Sequence, residues 1–295
     1  MTRLDGTIRA GLIGSGIQRS LTPAMHMAEG AAQGLAYRYE LLDLDLGGSG
    51  AELLPQIVRQ AEERGFCGLN ITFPCKQQVI GLLDELSDDA ARLGAVNTVV
   101  FRDGRRIGHN TDWWGFAQGL LLQLPQADLT NIVQLGAGGA GAATAFAVLQ
   151  LGAGALTIFD VDAARARQLA AAMAGHFPNA VVSAGSDLRQ AMAAASGLVH
   201  ATPTGMDKHP GLPLPAELLT PRIWVAEIVY FPLETALLAE ARRLGCSVAD
   251  GGGMAVFQAV GAFALFTGQE ANAERMRAHF RILTGSPPEP LERRA

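Results

Sequence analysis

The run Ile132-Val133-Gln134-Leu135-Gly136-Ala137-Gly138-Gly139-Ala140-Gly141-Ala142-Ala143-Thr144, followed by Leu156-Thr157-Ile158-Phe159-Asp160, decides the fold. Residues 132–135 read as an apolar strand, a G-x-G-x-x-G turn follows, and an alanine-rich helix is predicted over 140–151. In such a turn Gly136 lets the chain leave the strand sharply. Gly138 lets a pyrophosphate approach the backbone, and Gly141 lets helix and strand pack closely. Ala137, Gly139 and Ala140 complete the loop, whose N–H groups at a helix N-terminus attract phosphate. Asp160 ends the next strand about 20 residues on, where a carboxylate accepts from both ribose hydroxyls and repels a 2′-phosphate. That favours NAD, while Arg165, a turn into the following helix, keeps NADP open. The plainer reading of the loop is a strand–turn–helix that needs small residues for packing. For Asp160 it is a helix cap, a place better filled by Asp162.

Working outward, further strands are read at 156–159, 198–200, 224–229 and 246–249, with helices at 163–174 and 233–244. This order predicts a Rossmann-type, doubly wound, mostly parallel sheet for residues 113–253. Ahead of it, strands at 8–13, 37–43 and 68–71, and a hairpin of 98–101 with 106–109 around Asp103-Gly104, alternate with helices at 23–34, 50–64, 77–86 and 88–93. Thr22 is read as the N-cap of the first helix, with Pro23 at its first position. Residues 1–112 therefore read as a first α/β domain. Helices at 254–266 and 271–282 are expected to return to it within 254–285, and 286–295, rich in Pro and charge, to fray.

The bulk numbers agree with two α/β domains and narrow the classes of function. A chain of 295 residues with 49% hydrophobic content can bury two cores. The net charge of −5, with no Lys/Arg stripe, argues against nucleic acid, though local groups can still hold a small anion. Cys67, Cys75 and Cys246 are spread without a CxxC pair, which points to a reducing compartment. There is no signal-peptide core in the first residues and no apolar stretch of about 18 residues. The chain is read as soluble and cytoplasmic, with no membrane partner. Its histidines show neither HxxxH nor HExxH spacing, so no metal is expected.

Oxidising an alcohol requires a group that takes the hydroxyl proton as hydride leaves. Lys76 is the first candidate, in Asn70-Ile71-Thr72-Phe73-Pro74-Cys75-Lys76. A strand end inside an apolar, Pro-fixed turn can desolvate an ammonium and disfavour its charge. The alternative is a solvated surface lysine. Asp112, in Asn110-Thr111-Asp112-Trp113-Trp114-Gly115, is the second candidate, either as a helix N-cap or as a partner holding the ammonium. Cys75 has no histidine partner by spacing and reads as a small buried hydrophobe. His26 reads as a structural hydrogen-bonding residue, and Trp113 and Trp114 as packing residues.

Along nearly its whole length the chain resembles the shikimate dehydrogenase family. The matching segments are Ser20-Leu21-Thr22-Pro23-Ala24-Met25-His26, Gly68-Leu69-Asn70-Ile71-Thr72 with Pro74 and Lys76, Gly94-Ala95-Val96-Asn97-Thr98, and Asn110-Thr111-Asp112 with Gly115. They continue with the glycine loop, Ala201-Thr202-Pro203-Thr204-Gly205-Met206, Val229-Tyr230-Phe231-Pro232 with Thr235, and Asp250-Gly251 with Gly253-Met254 and Gln258. The resemblance implies that domain 1–112 binds substrate and carries catalysis, with Lys76 and Asp112 as the catalytic dyad. Ser20 and Thr22 would bind a carboxylate, the plainer alternative being helix capping. Thr72, Lys76, Asn97, Asp112, Gln258 and Tyr230 would hold the rest of a polyhydroxylated ring acid. Thr202, Pro203, Thr204, Met206, Val229, Gly251 and Met254 join the loop, Asp160 and Arg165 as cofactor-binding residues.

Ser20 paired with Thr22, and Phe159-Asp160-Val161-Asp162 in place of a basic run, look like the NAD-dependent quinate/shikimate dehydrogenases of that family. The rivals are an NADP-dependent shikimate dehydrogenase of aromatic amino-acid biosynthesis, an aminoshikimate dehydrogenase, and a catalytically silent NAD-binding sensor. A homodimer is left open. Two departures stand out: His200 where the family usually has Asn, and Glu227 where it usually has Asp. Both bear on cofactor geometry and affinity.

Overall fold

The computed structural model describes residues 6–47 and 50–285, so the tail read at 286–295 lies outside the described residues. The chain begins with β1 (Ile8–Gly14), α1 (Thr22–Ala32), β2 (Tyr37–Asp43), α2 (Leu54–Glu63), β3 (Gly68–Ile71), β4 (Glu85–Leu86) and α3 (Asp88–Leu93). It continues through β5 (Thr98–Arg102), β6 (Arg105–His109), α4 (Asp112–Gln123), β7 (Asn131–Leu135), α5 (Gly139–Gln150), β8 (Ala155–Phe159) and α6 (Ala163–His176). Then come β9 (Val181–Ala184), α7 (Leu188–Ala193), β10 (Gly197–His200), β11 (Trp224–Glu227), α8 (Ala236–Arg243), β12 (Ser247–Ala249), α9 (Gly252–Thr267) and α10 (Ala273–Thr284). Two compact units result. One holds the chain up to Ser87, Val96–His109 and the part from Ala259 onward; the other holds Asp88–Ala95 and Asn110–Gln258.

The first unit is built on a mixed sheet of order β2-β1-β3-β5-β6-β4. β1 pairs in parallel with both β2 and β3, while β5 runs antiparallel to β3 and β6. Asp103 and Gly104, with φ of 52° and 73°, make the left-handed turn that an Asp-Gly hairpin requires. Ile8, Ala10 and Leu12 of β1 pack with Tyr37, Tyr39, Val100, Phe263 and Phe266. Helix α10 is held to this core by an ion pair whose carboxylate is buried and whose guanidinium is exposed. Glu29 of α1 receives Arg275 of α10 at 2.6 and 2.7 Å, the Asn272 N–H at 2.8 Å and Gln33 Nε2 at 2.6 Å. Burial opposes the Glu29 charge, but these donors outweigh it and hold the carboxyl below its ordinary value.

Two local expectations need correction, and two elements were not expected. Thr22 does not cap α1. It is the first helical residue, Leu21 precedes it in helical geometry, and the Ser20 hydroxyl accepts the Thr22 N–H at 3.3 Å. Residues 77–86 do not form one helix. A 3-10 turn over Gln78–Leu82 gives way to β4, because Asp84 N–H and Ser87 N–H bond to the carbonyls of Arg106 and Gly108 on β6. Sheet pairing there overrides the local periodicity. Finally, β9 and α7 carry too weak an alternation to be read from sequence, since β9 is a half-exposed edge strand.

In the second unit all six strands are parallel, in the order β12-β11-β10-β7-β8-β9. The order reverses between β7 and β10, the switch point of a doubly wound sheet. Strand alternation puts Ile132 into the core with Phe146, Leu156 and Ile158. Its neighbour Val133 enters the opposite core, with Leu198, Val225, Leu237 and Leu238. Among the described residues no helix is long and apolar enough to cross a membrane.

His26 of α1 is wholly buried beside Tyr39, Phe263 and Phe266, with Nδ1 3.0 Å from the Tyr37 hydroxyl and no partner for Nε2. Burial pulls the imidazole from 6.5 down to about 3. Between these values the unfolded chain binds a proton that the folded one does not. This contribution to stability is therefore complete above pH 6.5 and is lost as pH falls towards 3. Urea unfolding from pH 7 to 4 should lose up to about 1.4 kcal/mol per pH unit through this group, and His26→Leu should flatten the slope by that amount. An unchanged slope in His26→Leu would contradict the assignment.

Candidate active site

The loop between β7 and α5 is shaped by lack of room. Gly136 has φ +105°, and a Cβ there would lie 2.4 Å from the Ala201 carbonyl oxygen after β10. A Cβ on Gly141 would meet the Gly136 carbonyl at 2.3 Å. These are the sharp turn and the close helix–strand contact that the motif demands. Beside Gly138 and Gly139, by contrast, a Cβ would meet no atom within 4 Å, and α5 starts from Gly138 without a side-chain cap. The start of α5 is thus uncrowded at these two glycines and carries no capping side chain, as a pyrophosphate there requires.

A residue that sequence reading missed holds this loop. Gln134 is fully buried in β7. Its Nε2 donates to the carbonyls of Gly136 (2.9 Å) and Gly141 (2.8 Å), and its Oε1 accepts from the Thr144 hydroxyl of α5 at 2.9 Å. The signal was available: a glutamine inside Ile-Val-Gln-Leu must find partners if it is buried.

Asp160, at the end of β8, reaches the same loop. One carboxylate oxygen accepts from Ala137 N–H at 2.8 Å and the other from Asp162 N–H at 2.9 Å. Each oxygen keeps further acceptor capacity for ribose hydroxyls. Asp162 caps α6 through Ala164 N–H and Arg165 N–H, as its position suggested. The Arg165 guanidinium lies 3.9 Å from Asp160 and 4.0 Å from Asp162, so its charge already faces two carboxylates. The cradle of small residues, helix N–H groups and a terminal carboxylate fits a dinucleotide.

The other cofactor candidates follow β10, β11 and β12 in the same unit. Thr202 Oγ is 2.5 Å from His200 Nε2 and accepts from Thr204 N–H at 3.3 Å. Met206 N–H bonds the Pro203 carbonyl at 3.1 Å, closing a turn. Val229 N–H donates to Glu227 at 2.9 Å. A Cβ on Gly251 would be 2.5 Å from the carbonyls of Ile228 and Val229, so the start of α9, with Met254, sits tight against the β11 exit.

Of the substrate candidates, the second unit holds three, Asp112, Tyr230 and Gln258. Asp112 is buried and is itself the first residue of α4, not its cap; its N–H bonds Asn110 Oδ1 at 3.0 Å. Burial, and then the negative charge of Asp112, push the Tyr230 phenol above its ordinary value, so the two side chains sense each other. Gly115, one turn into α4, leaves no Cβ between it and the backbone of Gln258, which would lie 2.6 Å away.

In the first unit Thr72, Lys76 and Asn97 gather at the exit of β3. Ile71 N–H bonds the Asn97 carbonyl at 2.7 Å, Thr72 N–H the Ile13 carbonyl at 2.9 Å, and Val96 N–H the Lys76 carbonyl at 2.8 Å. The Lys76 turn therefore links β3 with the start of β5, and the Lys76 residue is half-buried. Beneath it runs a buried polar row absent from the sequence reading. Tyr39 O–H donates to Asn70 Oδ1 (2.7 Å), Asn70 Nδ2 to the Thr98 hydroxyl (2.9 Å), and Thr98 O–H to Asn97 Oδ1 (3.0 Å). Ser20 and Thr22 lie at the entry of α1. Cys75 is buried, and burial pushes its thiol up, as for an inert hydrophobe.

A doubly wound sheet with this loop, joined to a second α/β unit rich in hydroxyl-directed side chains, defines a dinucleotide-dependent oxidoreductase. The chain belongs to the shikimate dehydrogenase family. Residues 12–99 match the shikimate dehydrogenase substrate binding domain. A relative from Streptomyces avermitilis named shikimate dehydrogenase (NADP(+)) is 57% identical over 94% of this chain and 96% of its own. One from Corynebacterium efficiens, named quinate/shikimate dehydrogenase (NAD(+)), is 50% identical over 93% of this chain and 98% of its own. The solved structure of quinate dehydrogenase from Corynebacterium glutamicum in complex with NAD superposes with a TM-score of 0.88 at 46% identity, covering 93% of this chain and 98% of that one.

Gln134→Leu keeps the size of the side chain but removes both donors to the loop carbonyls. Unfolding by urea should show a loss of about 1–3 kcal/mol, with dinucleotide binding weakened in a titration. Wild-type stability and binding in this variant would show that the clamp is dispensable.

Proposed function

We propose that the protein is an NAD-dependent dehydrogenase that oxidises a ring hydroxyl of quinate or shikimate to the 3-dehydro ketone, reversibly. The observation that carries the cofactor half is the turn after β8. Asp160 is held against the loop by Ala137 N–H, Asp162 stands beside it, and Arg165 faces both carboxylates. A 2′-phosphate at this place would meet two like charges, whereas two ribose hydroxyls would donate to Asp160. The NAD(+) names of the Corynebacterium relatives support this reading.

The substrate half rests on the side chains of the candidate site and on the names of the relatives. A polyhydroxylated ring acid offers many donors and acceptors and little apolar surface. Ser20 and Thr22 supply hydroxyls for its carboxylate, and Thr72, Asn97, Tyr230 and Gln258 supply partners for its hydroxyls. The bound nicotinamide supplies the hydride acceptor. Lys76, as the neutral amine, takes the hydroxyl proton while the carbonyl forms, and returns it in the reverse direction. The family resemblance pairs Lys76 with Asp112, whose carboxylate would stabilise the resulting ammonium.

A second reading, NADP-dependent shikimate dehydrogenase, is favoured by the Streptomyces relative's name. It would require Arg165, whose side chain is 55% exposed, to leave the two carboxylates for a phosphate.

The test of the chemistry is Lys76→Ala. Turnover of quinate and shikimate should drop by about 10²–10⁴, while NAD binds with wild-type affinity by calorimetry. Undiminished turnover would refute the role of Lys76.

A further inference from the structure

The two departures from the family pattern face each other. His200 and Glu227 end adjacent parallel strands as register partners, and both side chains are wholly buried. His200 Nδ1 lies 2.9 Å from each oxygen of Glu227. One of those oxygens also accepts from Val229 N–H at 2.9 Å and the other from the Thr235 hydroxyl at 3.2 Å. A carboxylate that already accepts two bonds places the hydrogen on Nδ1. On the far side of the ring, Nε2 is 2.5 Å from Thr202 Oγ, which accepts from Thr204 N–H. With the ring neutral, Thr202 donates its O–H to Nε2. The row from Thr204 through Thr202 and His200 to Glu227 then has a single hydrogen polarity, with an acceptor for every donor. Glu227 thereby ties together the segment after β10, the segment after β11 and Thr235, the N-cap of α8.

We propose that His200 and Glu227 are one coupled positioning device, which fixes the nicotinamide end of the dinucleotide through Thr202, Thr204 and Val229. This rests on the reading that the second unit holds a nicotinamide dinucleotide. In a doubly wound sheet the two halves of the ligand lie on either side of the switch point. The glycine loop and Asp160 occupy the β7–β9 side, which leaves the exits of β10 and β11 for the nicotinamide. The pair is buried beneath those exits and acts through the backbone and hydroxyls it holds. Replacing one member strands the other without its bond in a dry site, where an unmet polar group is costly. Replacing both by the shorter Asn and Asp restores a matched pair. The exchange of Asn for His and of Asp for Glu is thus a single compensated change.

The test compares NAD with ADP-ribose, which carries the adenosine and both phosphates but no nicotinamide. His200→Asn and Glu227→Asp should each lower kcat and raise the KM for NAD by about tenfold, while the Kd for ADP-ribose stays within about twofold of wild type. The double variant His200→Asn/Glu227→Asp should recover most of the loss. Equal weakening of both ligands would reduce the pair to a folding role and overturn the proposal. So would single variants with wild-type kinetics, or a double variant no better than the worse single one. A wild type that binds neither NAD nor NADP would instead overturn the parent reading, and this inference with it.

Discussion

Between the ends of β7 and β10 there is no space for a side chain on Gly136, and the second unit is organised around that fact. The loop must turn in a left-handed conformation against the Ala201 carbonyl, and α5 must then pass within a few ångströms of the turn at Gly141. Gln134 converts this crowding into order by bonding the carbonyls on both sides of the loop from inside the sheet. Asp160 takes the next N–H, at Ala137. The result is an uncapped helix N-terminus with its flanking backbone already fixed, so little ordering remains to oppose a bound phosphate.

The same economy governs the other exits of the sheet. Parallel strands end side by side, so residues at equal register can pair across strands, as His200 and Glu227 do. A buried imidazole facing a buried carboxylate is costly unless every lone pair and hydrogen is used. Here Thr202, Val229 and Thr235 use them. In the first unit Tyr39, Asn70 and Thr98 do the corresponding work beneath Asn97.

Much of this was legible in the chain. The glycine loop with Asp160 at the end of the next strand identified a doubly wound sheet, because each glycine answers a distinct steric need. The Asp103-Gly104 turn identified its hairpin for a similar reason. What escaped were features decided by distant neighbours. Residues 77–86 looked helical until β6 offered backbone partners to Asp84 and Ser87. Thr22 looked like a cap, although it lies inside the helix and its own N–H bonds the Ser20 hydroxyl. Gln134, Asn70 and Thr98 carry their meaning only through partners far along the chain, and local spacing does not reveal those. His200 and Glu227 were noticed singly, 27 residues apart, and only strand register shows that they form a pair.

The central claim is that the carboxylates after β8 select NAD. It is tested most directly by the ratio of kcat/KM for NAD to that for NADP, measured on the wild-type protein with quinate and with shikimate at moderate ionic strength. Two carboxylates facing a 2′-phosphate should give a ratio of about 10² or more in favour of NAD. A ratio at or below one would mean that Arg165 leaves Asp160 and Asp162 for the phosphate, and would contradict the account.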